Sequence, residues 1–315
     1  MKIIYFGTPS FAADVIEYLF RNKVEIVAVV SKPDRPKGRS GSPVPTPVKT
    51  VALAINPSIP IYQPEIVSAP EFSDVLKQYN ADLFVVVAYG EIIKQHLLDM
   101  PRLGCINVHA SLLPKYRGAA PIQRSIIDGE AETGVTIMHM VKKMDAGDMI
   151  KVVKVPIGPE MTYGELEVSL CEIGKKALLD VLSEFEKGVI KRVPQDISQI
   201  TFAPKIELED CEIKWGLPAQ QLHNLVRGVN PHPGAWCFVH VRGEKKRLKV
   251  MRTRVYSSSD IAPGKILSTS KQNLIVGTEK DALELIEVQL EGKKPMSSSE
   301  LIRGIPLDQL SFSSN

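Results

Sequence analysis

The sequence predicts an α/β protein in two parts: a mostly parallel sheet with helices on both faces, then a smaller β-barrel. Three observations predict it. Over the first half, short apolar runs alternate with amphipathic stretches, the pattern of strands joined by crossover helices. "DLFVVVA", from Asp82 to Ala88, is apolar without a period, as expected for a strand buried on both sides. In the last third the apolar runs become short, closely spaced and alternating, which points to a small barrel. A chain of 315 residues is long enough for both parts.

In chain order, strands are expected at Lys2–Phe6, Glu25–Val30, Asp82–Ala88, Gly104–His109 and Val135–Met140. Helices are expected between them, at Ser10–Phe20, Pro47–Ala54, Glu71–Tyr79, Glu91–Leu98 and Ala120–Asp128. Ser10 is the expected N-cap of the first helix. The turn before it, Gly7-Thr8-Pro9, has neither G-x-G-x-x-G nor the Gly-Lys-Ser/Thr of a phosphate loop, so it reads as turn chemistry rather than a dinucleotide site. "SKPDRPKGRSGSPVPTPVK", Ser31 to Lys49, is rich in proline and glycine and is expected to form neither helix nor strand. A loop of that length inside a compact domain tends to be functional. A long helix should fill Tyr163–Lys187. The poorly periodic segment 188–209 reads as a linker, which divides the chain into 1–187, 188–209 and 210–315. Beyond it the sequence predicts a helix at Ala219–Arg227 and strands at Ala235–Val241, Arg247–Tyr256, Lys265–Ser268, Asn273–Gly277 and Leu283–Gln289.

The net charge of +3 does not mark a nucleic-acid binder, but its distribution points to a localised anionic partner. Lys32 to Lys49 carries five cations against one acid, and Val241 to Tyr256 seven against Glu244 alone. Cys105, Cys171, Cys211 and Cys237 are widely spaced with no C-x-x-C pair, against a zinc or redox motif and for a reduced, cytoplasmic setting. The first apolar run is too short for a signal-peptide core, and no run reaches the roughly 18 residues of a membrane span. No coiled-coil or interface pattern appears, so a monomer is expected.

The chemistry concentrates in "INVHASLLPKYRG", Ile106 to Gly118. Side chains at i and i+2 of a strand share a face, so Asn107 and His109 point the same way at a strand end. Two such groups can hold an oxygen that gains negative charge during acyl transfer, and histidine can also move protons near neutral pH. The alternative is that His109 caps the strand and Asn107 bonds loop backbone. Asp145, in "MDAGDMI" after the next apolar run, is placed to orient His109; Asp148 is its rival, beside a turn glycine. His139 is expected to pack in its strand, and no His-carboxylate spacing supports a metal. "SLLP" offers apolar side chains and stiff backbone to a flat heteroaromatic ligand. Lys115 and Arg117 would meet a ligand's carboxylates or be solvated.

"INVHASLLPKYRGAAPIQRSIIDGE", with "TGVTIMHMVKKMDAGDMI" after it, closely resembles the 10-formyltetrahydrofolate-dependent formyltransferases. "FGTPSFA", "PDRPKGR", "AYGEI" and "NPHPGAW" are similar to the branch whose acceptor is initiator methionyl-tRNA. The resemblance implies a Rossmann-like catalytic domain without a dinucleotide, followed by an OB-like barrel that binds tRNA. It implies transfer of the formyl group of 10-formyltetrahydrofolate, a co-substrate and not a tightly bound cofactor, to the α-amine of methionyl-tRNA for translation initiation. It carries catalytic roles onto Asn107, His109 and Asp145. It places the folate against Ser111, Leu112, Leu113 and Pro114, and near Ala88, Tyr89, Gly90 and Ile92. It places tRNA contacts at Arg35, Lys37, Arg39 and Lys205. The chain departs from the family at Glu207, Leu208, Val229 and His232. The alternative function is formyl transfer to a small amine, a purine precursor or an amino sugar. An RNA-binding module on an inactive sheet would lack a use for Asn107, His109 and Asp145, and an oxidoreductase would need the missing glycine fingerprint.

Overall fold

A computed structural model describes residues 1–36, 41–258, 261–267 and 273–312. The chain packs as two compact units: 1–118 with 133–155 and 167–203, and 119–132 with 156–166 and 204–315.

In the first unit the strands are β1 (Ile3–Gly7), β2 (Ile26–Val30), β3 (Arg35–Pro36), β4 (Pro43–Val44), β5 (Ile61–Tyr62), β6 (Leu83–Val87), β7 (Cys105–His109), β8 (Arg117–Gly118), β9 (Glu132–His139) and β10 (Met149–Pro156). Seven of them form one sheet in the order β10-β9-β7-β6-β1-β2-β5. The five strands from β5 to β7 run parallel and β9 runs antiparallel to β7. This is the mostly parallel sheet that the alternation predicts, in the Rossmann-like form that the resemblance implies. β1 and β6 are buried at every position, as their aperiodic apolar sequences require. The helices here are α1 (Ser10–Arg21), α2 (Pro47–Ile55), α3 (Pro70–Lys77) and α4 (Gln95–Leu98). One face of the sheet buries Ile4, Phe6, Phe84, Val86 and Leu97 in a common core.

Three local expectations are corrected. The N-cap of α1 is Pro9, not Ser10, and no side chain caps that end. The helix expected from Glu91 begins only at Gln95. The chain leaves β6 through Ala88 and Gly90, both at positive φ, and the Glu91 carboxylate accepts from the Val67 N–H and Lys32 Nζ, so the backbone cannot coil there. The proline-rich loop holds a short antiparallel ladder, β3 with β4, pairing Arg35 with Val44 and Pro36 with Pro43. Proline is tolerated because this ladder is two residues long and exposed. Thr46 then caps α2, its hydroxyl accepting from the Lys49 N–H, with Pro47 at the first helical position.

In the second unit, α5 (Pro121–Ile127) packs against α7 (Ala219–Gly228), while α6 (Tyr163–Glu186) starts in this unit and continues into the first. β11 (Phe202–Ala203) belongs to the first unit, where it pairs in parallel with β8. The remaining strands are β12 (Ala235–Val241), β13 (Glu244–Tyr256), β14 (Ile266–Leu267), β15 (Leu274–Gly277), β16 (Ala282–Leu290), β17 (Met296–Ser297) and β18 (Leu310–Phe312), with α8 (Ser298–Gly304) before the last. They form one antiparallel, nearly barrel-like sheet in the order β14-β15-β16-β13-β12-β18, with β17 on β16. Trp215, Leu222 and Val226 fill its core together with the inward residues of the strands. No helix among the described residues is long and apolar enough to cross a membrane.

Candidate active site

β7 is flanked by two strands: Asn107 pairs with Val86 of β6 and with Met138 of β9. Strand alternation turns Asn107 and His109 to one face, while Val108 turns toward Gly174 of α6 on the other. Asn107 is half-buried, and no described residue hydrogen-bonds its amide. His109 is buried, with Nε2 2.9 Å from the Tyr116 carbonyl. That oxygen can only accept, so Nε2 carries a proton and Nδ1 is the nitrogen turned to the site.

Nδ1 lies 3.7 Å from Asp145 Oδ2, too long for a direct hydrogen bond but close for an ion pair. Asp145 sits in the loop between β9 and β10 at a φ of 49°, in the left-handed region that non-glycine residues rarely occupy. Its carboxylate accepts from the Gly118 N–H at 2.8 Å. Asp148, the sequence rival, instead gives its carbonyl to the His139 N–H, and its charge acts on the His139 ring.

After β7 the chain turns through Ser111–Pro114 with a cis Leu113–Pro114 bond. The turn is fixed internally. The Thr136 hydroxyl donates to the Ser111 carbonyl at 2.7 Å and accepts from the Leu113 N–H at 3.1 Å. The Ser111 hydroxyl donates to the Lys115 carbonyl at 2.7 Å. Ser111, Leu113 and Pro114 are buried and Leu112 is half-buried, beside Gly134, where a Cβ would stand 2.5 Å from Leu112 Cδ2. Ser111 therefore shapes the turn with its side chain and has no free hydroxyl proton for a ligand.

β6 runs parallel to β7, so residues 88–92 and 109–114 leave the sheet at the same edge, where parallel sheets place ligands. Ala88 and Gly90 are exposed there, and Ile92 is 77% exposed. Tyr89 turns inward: its ring packs edge-on against Phe6, and its hydroxyl is buried with no hydrogen-bond partner among the described residues. Burial, helped by the Glu91 charge, pushes that phenol well above the ordinary tyrosine range. Segment 88–92 thus offers backbone and the Ile92 side chain at this edge, and not the Tyr89 ring.

Of the cationic positions, Arg35 is exposed and paired with Glu65 at 2.6 Å. Lys37 and Arg39 lie outside the described residues. Lys205 is exposed and paired with Glu207 at 3.1 Å. No cluster of metal-ligating side chains occurs among the described residues.

Arg117 is neither solvated nor turned to a ligand. It is 2% exposed, and both Nε and Nη2 donate to Gln195 Oε1, at 3.1 and 2.7 Å. Gln195 Nε2 in turn donates to the carbonyls of Asp145 and Gly147, at 2.9 and 2.8 Å. Sequence reasoning missed Gln195, Thr136 and the Tyr116 carbonyl. Thr136 carried a faint signal as a polar residue inside an apolar run. Gln195, in an aperiodic segment 78 residues from Arg117, carried none.

Comparison with known proteins identifies the family and the fold. Residues 1–182 match the family described as formyl transferase, and residues 205–306 match the formyl transferase C-terminal domain. The methionyl-tRNA formyltransferase of Protochlamydia amoebophila is 67% identical over 99% of this chain and 98% of that protein. Its counterpart in Chlamydia pneumoniae is 43% identical over 98% of this chain and 97% of that protein. Among solved structures, the sugar 3N-formyl transferase WlaRD, in the presence of dTDP and 5-N-formyl-THF, superposes with a TM-score of 0.66. It is 17% identical and covers 93% of this chain and 99% of its own. HypX of Aquifex aeolicus in complex with tetrahydrofolic acid superposes at 0.64 with 17% identity, over 96% of this chain and 47% of its own. At that identity both show the fold.

Proposed function

The chain belongs to the formyl transferase family, and on that premise we propose that it moves the formyl group of 10-formyltetrahydrofolate to the α-amine of methionyl-tRNA. The observation that carries the reaction type is the uncommitted Asn107 amide on the same strand face as His109, with the Asp145 carboxylate at Nδ1. The acceptor rests on the near full-length identity to methionyl-tRNA formyltransferases and on the cations of the 32–49 loop and of Lys205. A cytoplasmic monomer fits this role.

The neutral amine attacks the formyl carbon, forming a C–N bond while the carbonyl pair moves to oxygen. Asn107 donates to that oxyanion through its side-chain N–H. With Nε2–H given to the Tyr116 carbonyl, His109 donates from Nδ1 as the doubly protonated ring, with Asp145 as its counter-ion. Asp145 takes the proton of the attacking amine, directly or through water. Collapse of the tetrahedral carbon breaks its bond to N10, which recovers a proton. The folate ring lies against the 111–114 turn and residues 88–92, met by backbone polar groups and the Leu112 and Ile92 side chains.

The deciding experiment supplies labelled 10-formyltetrahydrofolate with charged initiator tRNA, and in parallel with small amines. Label on methionyl-tRNA at a kcat/KM far above any small amine is the expected result. Equal or preferred use of an amino sugar or a purine precursor would overturn the acceptor.

A further inference from the structure

The segment between the two family matches, 183–204, is laced onto the loops of the candidate site. Val193 exchanges two backbone hydrogen bonds with Met149, at 2.8 and 2.9 Å, just beyond the Asp145 loop. Thr201 accepts from Arg117 N–H through its carbonyl at 3.0 Å and from Tyr116 N–H through its hydroxyl at 2.9 Å. β11 then pairs with β8, and a Cβ on Gly118, at a φ of 128°, would meet the Ala203 carbonyl at 2.6 Å. Between these two attachments, Gln195 joins the halves of the site.

The connections close a ring. The Arg117 guanidinium donates to Gln195 Oε1; Gln195 Nε2 donates to the carbonyls of Asp145 and Gly147; the Asp145 carboxylate accepts from Gly118 N–H; and Gly118 is bonded to Arg117 along the chain. Asp145 is held at a positive φ, and a Cβ on Gly147 would stand 1.7 Å from the His139 carbonyl, so this loop has little freedom once those carbonyls are fixed. A carboxylate and a guanidinium do not touch in this ring, and a neutral amide with one donor and one acceptor end is what joins two carbonyls to a cation.

We propose that Gln195 is a positioning residue for formyl transfer, setting the Asp145 carboxylate against His109 Nδ1 by holding the Asp145–Gly147 backbone to Arg117. This rests on the reading that Asp145 takes part in the reaction. A displaced reacting group costs rate more than affinity.

The test is a double-mutant cycle in single-turnover formyl transfer to methionyl-tRNA. Gln195→Met keeps size and removes both ends of the amide; Gln195→Glu keeps an acceptor for Arg117 and removes the donor toward the carbonyls. Each is expected to lower kcat roughly 10- to 100-fold with KM for both substrates nearly unchanged. In an Asp145→Asn background either change should add almost no further loss. Multiplying losses, a KM-only effect, or unchanged kcat would overturn the proposal. Failure of both variants to fold would also overturn it, leaving Gln195 with a structural role only. If Asp145→Asn alone left turnover intact, the underlying assignment would fall instead, and the cycle tells these results apart.

Discussion

Asn107 and His109 illustrate how little a residue type decides until its partners are known. Both could have been structural caps, and His109 partly is one, since Nε2 is given to the Tyr116 carbonyl. Asn107 differs because no described residue engages its amide. Asn107→Ala should therefore lower kcat by about 10²–10³, equal to about 3–4 kcal/mol of transition-state stabilisation, with substrate KM nearly unchanged; steady-state kinetics on methionyl-tRNA decide this, and a pure KM effect would contradict the role. His139 packs in its strand as expected, against Phe185, with Nε2 unpartnered among the described residues. Burial lowers its pKa, the Arg192 charge adds to this, and Asp148 opposes it weakly. The folded protein thus holds a neutral ring while the unfolded chain takes up a proton, so stability falls as pH drops through about 6.5. His139→Gln should flatten the part of the Tm profile just below that pH, and an unchanged profile would show that the ring does not titrate this way.

At the scale of elements, the loops are fixed by close backbone approach and by buried polar contacts. Gly147 has the least room: a Cβ there meets the His139 carbonyl, which is backbone and cannot rotate away. Gly147→Ala should cost about 1–3 kcal/mol of stability and lower kcat as well, measured by urea unfolding and turnover together. In the second unit, α7 holds the 158–162 segment. Arg227, buried, donates to the carbonyls of Gly158 and Met161 and to Asn224 Oδ1, and His223 donates from Nε2 to the Pro159 carbonyl. Removing that donor strands several acceptors, so Arg227→Met should cost about 2–4 kcal/mol in the urea midpoint with kcat per folded molecule kept. Val229, one of the positions read in the sequence as departing from the family, is fully buried in the apolar core of this unit. Leu208 serves through its backbone, its carbonyl accepting from Trp236 Nε1.

For the molecule as a whole, the charge pattern bears on the acceptor. A substrate recognised through phosphates releases counterions when it binds, so affinity falls with salt in proportion to the contacts made. Arg39→Ala should raise KM for methionyl-tRNA and reduce the slope of log affinity against log salt by about 1, while formylation of any small amine stays intact. Equal loss on both substrates would place Arg39 in the chemistry rather than on RNA.

Much of the fold was legible because periodicity is local. Aperiodic apolar runs gave β1 and β6, alternation gave β12 and β16, and strand geometry alone put Asn107 and His109 on one face. Position after a strand narrowed the carboxylate beside His109 to Asp145 or Asp148, and the folded loop brings Asp145 to Nδ1. Other features were not local. The ring through Arg117, Gln195, Asp145 and Gly118 joins residues up to 78 apart, and no spacing rule foretells which buried cation an isolated amide will meet. The segment 188–209 looked like a tether because its order comes from pairing with β8 and Met149, not from its own pattern. The sequence by itself thus determined the central strands of the parallel sheet, the family, and the shared strand face of Asn107 and His109. The tertiary structure alone decided how those side chains are held, because the hydrogen bonds that hold them run between segments that only folding brings within 3 Å.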